Sequence, residues 1–479
     1  MDLFNGVKIV KPVVKELLIS SPYETVFDRI HSRPFSFFLD SGMDKYKLGR
    51  YSFMGHSPFL ILKSKGEKIE ITMGTETYIK TGNPFRIIES IIRHYRIRSD
   101  TVSPPFIGGG VGYFAYDLCH FIERLPATVV DDLGFPDCYF CFYDKVLAYD
   151  HQEDRWYISI TDCDGTMGSE SGKTIKDHIR ETEDEILAEL EESGMQKSDS
   201  VNMPRFKPVL ESNFTRESYL RAVKKAKEYI FAGDIYQVNL SQRFHAKLPM
   251  EPYRLYKKLR SINPAPFACY LNFGDITIVS SSPERFLKVE GDKAQTRPIK
   301  GTRPRGKDDC EDNRLKEELI KSEKDRAELN MIVDLERNDL GRVCDYGSVK
   351  VTEHAVAETY ATVFHLVSTV EGRLLPWHNY IDLLKACFPG GSITGAPKIR
   401  AMEIIDELEP TARSVYTGSI GYLGFNDHID LNIAIRTFLI KGDDVYFQVG
   451  GGIVADSTLE GEYEETLDKA KALIQSLTS

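Results

Sequence analysis

The 479-residue sequence contains no uninterrupted apolar run approaching the ~20 residues that a membrane-spanning helix needs. Its start, Met1-Asp-Leu-Phe-Asn-Gly6, has no basic stretch leading into an apolar one, so no signal peptide is expected. Basic excess is missing too. Lys and Arg number 61 against 72 Asp and Glu, for a net charge of −11. That balance excludes sequence-independent nucleic-acid binding, which needs a basic face. It does not exclude an anionic substrate, because a local basic pocket or a bound cation overrides global charge. Eight cysteines are scattered singly apart from Cys138-x-x-Cys141, which lies in an aromatic, strand-like run with no second pair to complete a zinc site. Buried reduced thiols are expected, and with them a cytoplasmic protein. No repeat of solenoid period occurs. There is no Walker A loop, since Ala396-Pro397 separates Gly395 from Lys398. A Gly-x-Cys-x-Gly nucleophile segment is also absent, so no glutaminase is fused within the sequence.

Apolar residues make up 42% of the chain, enough for a large core. Residues 1–162 alternate short strand-like runs with turns, among them 35–39, 68–72 and 155–160. Phe106-Ile-Gly-Gly-Gly-Val-Gly-Tyr113 packs four glycines into five positions and reads as a close approach of backbones. Residues 163–205 break the pattern. A small polar run, Gly165 to Gly172, precedes an acidic helix over 175–192 with Ile179, Ile186, Leu187 and Leu190 as its stripe, and Ser193 to Pro204 is loop-like. Residues 206–479 carry longer elements. They include a helix over 216–231 capped by Thr215 and stopped by Gly233, a charged stretch over 307–336 that is helical through most of its second half, a hairpin joining 429–440 to 445–449, and a terminal helix over 461–477.

Asp325 and Glu328 share a helix face, as do Glu462, Glu465 and Lys469. Two carboxylate faces that meet would need a cation between them, and oxygen-only ligands favour Mg²⁺; the same spacing also suits solvated surface helices. Phe388-Pro-Gly-Gly-Ser-Ile-Thr-Gly-Ala-Pro-Lys-Ile-Arg400 reads as an exposed helix N-terminus that attracts anions, or as a packing turn. Gly450-Gly-Gly452 follows a strand and would cradle a carboxylate or form a bulge. Arg436, read as part of a strand, is either a carboxylate clamp or an edge charge. His365 sits among apolar neighbours. Lys300, in Thr296-Arg-Pro-Ile-Lys-Gly-Thr-Arg-Pro-Arg305, is either an amine activated by Arg297, Arg303 and Arg305 or part of a basic turn.

Taken in order, these segments resemble the chorismate-utilising enzymes over nearly the whole chain. The resemblance is carried by Gly233–Arg243, Ser281–Phe286, Arg297–Arg305, Met331–Arg342, Pro389–Lys398 and Glu462–Thr466, with Leu39–Gly42, Arg50–Ser52 and Phe106–Asp117 upstream. It implies an α+β fold of four layers, α/β/β/α, with two large antiparallel sheets and interlocked halves. Within the family, Pro298-Ile-Lys-Gly-Thr302 is similar to the aminodeoxychorismate synthases; anthranilate synthases usually carry Ala in place of this Lys. The resemblance then implies Mg²⁺ on Glu328 and Glu465 with Asp325 and Glu462 behind. Tyr416 and Arg436 would grip the enolpyruvyl carboxylate, while Gly450, Gly451, Gly452, Lys469, Gly301, Thr302 and Ser392 line the site. Lys300 is implied as the covalent nucleophile at ring C2, Glu284 as acid/base, and His365 as the match of a histidine that assists pyruvate elimination in anthranilate synthases. Ammonia would come from a separate glutamine amidotransferase subunit. A tryptophan pocket is implied at Ser41 and at Pro264, Ala265 and Pro266, although Phe38-Leu-Asp-Ser41 departs from the usual Leu-Leu-Glu-Ser. The reading is amination of chorismate at C4; anthranilate synthesis, or a non-catalytic metabolite-binding regulator on the same scaffold, are its rivals.

Overall fold

The computed structural model describes residues 4, 6–8, 10, 12–41, 43–44, 46–97, 104–163, 175–191, 208–360 and 363–478. The polar run 165–172, the loop 193–204, most of the first six residues, and the side chains of Ile186, Leu187 and Leu190 lie outside them. Two twelve-stranded sheets dominate. The first joins strands from both ends of the chain at one seam, where Phe37–Asp40 pairs antiparallel with Phe267–Asn272. The second has its seam where Gly109–Phe114 pairs antiparallel with Ser419–Gly424.

Alternation along the strands assigns each side chain to a layer. In Cys138–Tyr143, Tyr139, Cys141 and Tyr143 enter the core between the sheets with Phe37, Leu271 and Ile278 of the first sheet. Cys138, Phe140 and Phe142 point the other way, under the helices Pro84–His94 and Tyr380–Cys387. The two cysteines of this run thus face opposite sides, and all eight cysteines are free thiols. The outer face of the first sheet packs on Tyr23–Ile30, Pro252–Ile262 and Leu459–Leu477 through Phe27, Tyr256 and Leu473. The order is helix, sheet, sheet, helix. Among the described residues no helix is long and apolar enough to cross a membrane.

The glycine run sits in the second seam. A Cβ on Gly112 would lie 2.0 Å from the Tyr139 carbonyl oxygen, and one on Gly109 would lie 2.1 Å from that of Leu423. Both obstacles are backbone, so neither can swing aside. Gly112→Ala should therefore destabilise the protein by about 3 kcal/mol, read as a lowered denaturation midpoint.

Local signals placed several elements well. The helix Arg216–Ala232 starts on Thr215, whose hydroxyl accepts from the Ser218 amide, and stops at Gly233 with φ +83°. The second half of 307–336 is helical as expected, in Glu323–Gly341, which Ser322 caps through the Asp325 amide, and Asp309–Lys321 before it forms a further helix. One reading needs correction: the run 429–440 is not one strand. His428–Ile433 belongs to the second sheet and Thr437–Lys441 to the first, with Ala434, Ile435 and Arg436 crossing between them. Arg436 has φ +51°, in the left-handed region rather than the extended one.

Candidate active site

Lys300 lies on the strand Ile299–Pro304, which pairs with Val363–Arg373. The register slips between Lys300 and Thr302, at Gly301 with φ +75°. A Cβ at Gly301 would meet Asp325 and Leu319 at 2.9 Å, so the glycine lets the strand lie directly on the neighbouring helices. Lys300 is half-buried, and its Nζ donates to the Ser392 carbonyl at 2.9 Å. Burial pushes its pKa down and Lys469 adds to this, while Glu328, Glu284 and Glu465 pull it back. The expected arginine effect is corrected. Arg297 is spent on Glu358, Glu353 and Thr369, Arg303 on Glu318 and Asp325, and Arg305 on Asp312. Each guanidinium already has its counter-charge, so desolvation is the main influence on the amine.

Glu284 is buried beside Lys300, and its Oε1 accepts from the Ile299 amide at 3.3 Å. Burial raises its pKa against the neighbouring Ser392 hydroxyl and the Lys300 ammonium.

The two acidic faces come together. Glu328 projects from Glu323–Gly341, and Glu462, Glu465 and Lys469 project from Leu459–Leu477. Burial raises the Glu328 pKa, with Asp325 and Glu465 adding to the rise and Lys300 and Lys324 opposing it. For Glu465, burial is outweighed by Lys469, Lys300 and Lys324, and the carboxyl is held low. Glu465 pairs with Lys469 at 2.8 Å, and the same ammonium donates to the Gly450 carbonyl at 2.8 Å. Glu462 is buried with its Oε2 lacking any hydrogen-bond partner. A Cβ on Gly451 would sit 3.1 Å from Glu462 Oε2 and 3.2 Å from Glu465 Oε1, so the absent side chain leaves the space beside both carboxylates open. Asp325 is turned to Arg303 at 3.1 Å. Among the described residues no three His, Cys, Asp or Glu side chains form a ready-made metal cluster. The oxygen-only donors Glu328, Glu462 and Glu465 beside the open space at Gly451 are of the type a hard cation such as Mg²⁺ takes, one or two carboxylates at a time with water and substrate oxygens.

Gly450, Gly451 and Gly452 lie in Asp444–Ile453 opposite Ser241, Leu240 and Asn239. The other flanking strand is last paired at Phe438 with Phe447, so beyond that point alternate peptide groups face away from any ladder. Tyr416 is buried close by, with the Arg413 guanidinium 5.8 Å from its ring. Arg413 itself is locked by Glu409 at 2.7 Å. Arg436 donates to Asn263 Oδ1 at 3.4 Å, and its carbonyl accepts from the Ser281 amide. Burial lowers its pKa with no carboxylate to offset it. His365 meets the Thr302 hydroxyl at 3.0 Å. Burial, with Arg436 adding to it, holds its pKa at about 3, so the ring is neutral at ordinary pH.

The glycine-rich segment 388–400 differs from the exposed helix start expected of it. Gly390 to Ala396 is buried, with Gly395–Ala396 paired to Gln237–Val238. It offers carbonyls rather than amides, from Ser392 to Lys300 and from Ile393 to Asn239 and Arg413. Lys398 is consumed by Asp339 at 2.5 Å and by the Cys387 carbonyl. Ser41 borders a separate cavity of about 380 Å³ between the sheets, walled by Tyr46, Phe53, Phe267 and Tyr422. Pro264, Ala265 and Pro266 precede its Phe267 wall and follow Asn263, which holds Arg436. Sequence reasoning missed Asn263's contact with Arg436, and also Glu336, buried behind Glu284; only the burial of their surroundings reveals either.

A family model described as chorismate binding enzyme matches residues 56–475. The aminodeoxychorismate synthase component 1 of Bacillus subtilis (strain 168) is 42% identical over 433 residues, 90% of this chain and 89% of that protein. The anthranilate synthase component 1 of Acetivibrio thermocellus is 41% identical over 456 residues, 95% of this chain and 92% of that protein. Among solved structures, anthranilate synthase component I of Streptococcus pneumoniae superposes with a TM-score of 0.78 at 33% identity, covering 89% of this chain and 92% of that one. The menaquinone-specific isochorismate synthase of Escherichia coli shares the fold, with a TM-score of 0.70 at 17% identity over 98% of this chain and 95% of that one. With buried carboxylates facing an amine in a fold of this kind, the chain belongs to the chorismate-binding enzymes.

Proposed function

We propose that the protein aminates chorismate at C4, giving 4-amino-4-deoxychorismate, through a covalent adduct on Lys300. The observation that carries this reading is the lysine itself, a desolvated amine held by the Ser392 carbonyl beside the buried Glu284. A desolvated amine is easier to deprotonate and so a better nucleophile. Lys300 Nζ bonds to ring C2 as the C4–O bond breaks, and the amine proton that Glu284 accepts is passed on to the hydroxyl, which leaves as water. Ammonia then bonds to C4, the C2–N bond breaks, and the lysine is released. The sum is chorismate plus ammonia giving product plus water.

Arg436 and Tyr416 would orient the enolpyruvyl carboxylate, with Gly450, Gly451, Gly452, Thr302 and Lys469 around the ring acid. Mg²⁺ would be held by Glu328 and Glu465, with Glu462 and Asp325 behind them, and would neutralise the ring carboxylate. Ammonia would come from a separate glutamine amidotransferase subunit, in keeping with relatives named component 1 and a sequence without a glutaminase nucleophile segment. The cavity at Ser41 would take tryptophan. Free thiols at all eight cysteines suit the reducing cytoplasm.

The test is product analysis with chorismate, Mg²⁺ and ammonium. The expected product yields p-aminobenzoate only after a lyase is added. Fluorescent anthranilate with released pyruvate would overturn the reading in favour of anthranilate synthesis, a reaction named for several of the relatives.

A further inference from the structure

Among the described residues Glu336 forms no ion pair. It is 7% exposed and lies on Glu323–Gly341, two turns beyond Glu328. Its Oε2 accepts a hydrogen bond from the Thr296 hydroxyl at 2.9 Å. Thr296 begins the stretch of chain that runs through Ile299, whose amide binds Glu284, to Lys300. From above, Glu336 is covered by the turn Gly391–Ile393, where a Cβ on Gly391 would come within 3.8 Å of Glu336 Cγ. That turn also presents the Ser392 carbonyl to Lys300.

The titratable and charged groups facing Glu336 are few. They are Glu284, Asp339 one turn along its own helix, Lys398, and the Cys387 thiol. Lys398 is committed to Asp339 at 2.5 Å and to the Cys387 carbonyl at 2.9 Å. Lys300 and Lys469 both act on Glu284, and Lys469 is paired with Glu465 at 2.8 Å. Lys300 is thus the ammonium left for the two buried carboxyls, which cannot both ionise without an uncompensated charge in the core.

We propose that Glu336 is a positioning residue that carries the proton Glu284 must lack, so that the site behind Lys300 holds one negative charge and Glu284 is free to accept the amine proton. The proposal rests on the acid–base role of Glu284 given above. Burial, with Glu284 adding to it, pushes the Glu336 carboxyl up to about 8, so the proton is present through the neutral range. Ionisation above that adds a second negative charge, which holds the proton on Lys300 and slows the addition step.

The test is the pH dependence of kcat/KM for chorismate consumption, with free ammonia held constant and Mg²⁺ saturating. The wild-type protein should lose activity on an alkaline limb centred near pH 8. In Glu336→Gln, a mimic of the protonated carboxyl, that limb should move up by about one pH unit or more, with the neutral plateau unchanged within about twofold. Thr296→Val removes the hydrogen bond that favours the ionised form and should move the limb in the same direction, keeping the idea testable if Glu336→Gln does not fold. An unmoved limb in a folded variant, or a plateau lowered equally at every pH, overturns the proposal. Consumption of chorismate is counted whatever the product, so an anthranilate product would sink the function proposed above without touching this result.

Discussion

Lys300→Ala should lower kcat for C4 amination by roughly 10³-fold or more, as loss of a covalent nucleophile does, while leaving the fold intact. The stability half of this expectation follows from where the side chain sits. Its ammonium donates to a main-chain carbonyl, and the neighbouring Glu328, Glu284 and Glu465 only partly offset its desolvation, so the net effect of the site disfavours the charged form. A charge held at a net cost adds little to stability, so removing it should leave the melting temperature nearly unchanged. Loss of activity without loss of stability separates a reacting group from a packing group. The residual activity is also informative. With no amine to block C2, nitrogen can add there, and the product mixture should drift toward C2 chemistry, detected by chromatography of the quenched reaction. Retention of full activity would end the covalent route, and a large fall in melting temperature would mean that Lys300 is structural.

Much of this site was legible in the chain, and what was not has a physical reason. Helix caps are local, so Thr215 and Gly233 announce the ends of Arg216–Ala232 without help from the rest of the fold. The sheet seams are not local. Nothing in Phe37–Asp40 points to Phe267–Asn272, because ladder partners are chosen by the topology of the whole chain rather than by neighbours. The two acidic faces could be predicted as faces, since i, i+3 and i, i+4 spacing is a property of one helix. That they meet at Gly451 depends on a strand and two helices distant in sequence. The arginines around Lys300 misled for the same reason. Arg297, Arg303 and Arg305 crowd the lysine along the chain, yet each is neutralised in space by acids such as Glu358, Asp325 and Asp312. Glu336 was unreadable because an acidic residue in a charged helix normally faces water. Its burial is set by the turn Gly391–Ile393, which no local pattern connects to it.

Arg436 carries the second large effect. The chain crosses from one sheet to the other through Ala434, Ile435 and Arg436, and the crossing leaves Arg436 at φ +51°. A left-handed conformation at a non-glycine residue costs about 1–2 kcal/mol. The guanidinium is desolvated as well, donating to Asn263 Oδ1 at 3.4 Å, and among the described residues no carboxylate pairs with it. Backbone strain and an uncompensated charge at one residue are two costs that folding alone does not require. Both are offset when a substrate carboxylate supplies the missing anion, since a charge-assisted bidentate pair contributes about 1.5–3 kcal/mol. Arg436→Ala should therefore raise KM for chorismate by roughly 10- to 100-fold, with a smaller change in kcat. Arg436→Lys should recover only part of this, because an ammonium cannot present the planar fork. The melting temperature of the free protein should be unchanged or raised in Arg436→Ala, and the stabilisation that chorismate gives the wild-type protein should be reduced in the variant. Steady-state kinetics and thermal denaturation with and without chorismate check all three. An Arg436→Ala protein that binds chorismate as the wild type does would show that the guanidinium serves the crossing of the sheets and not the substrate.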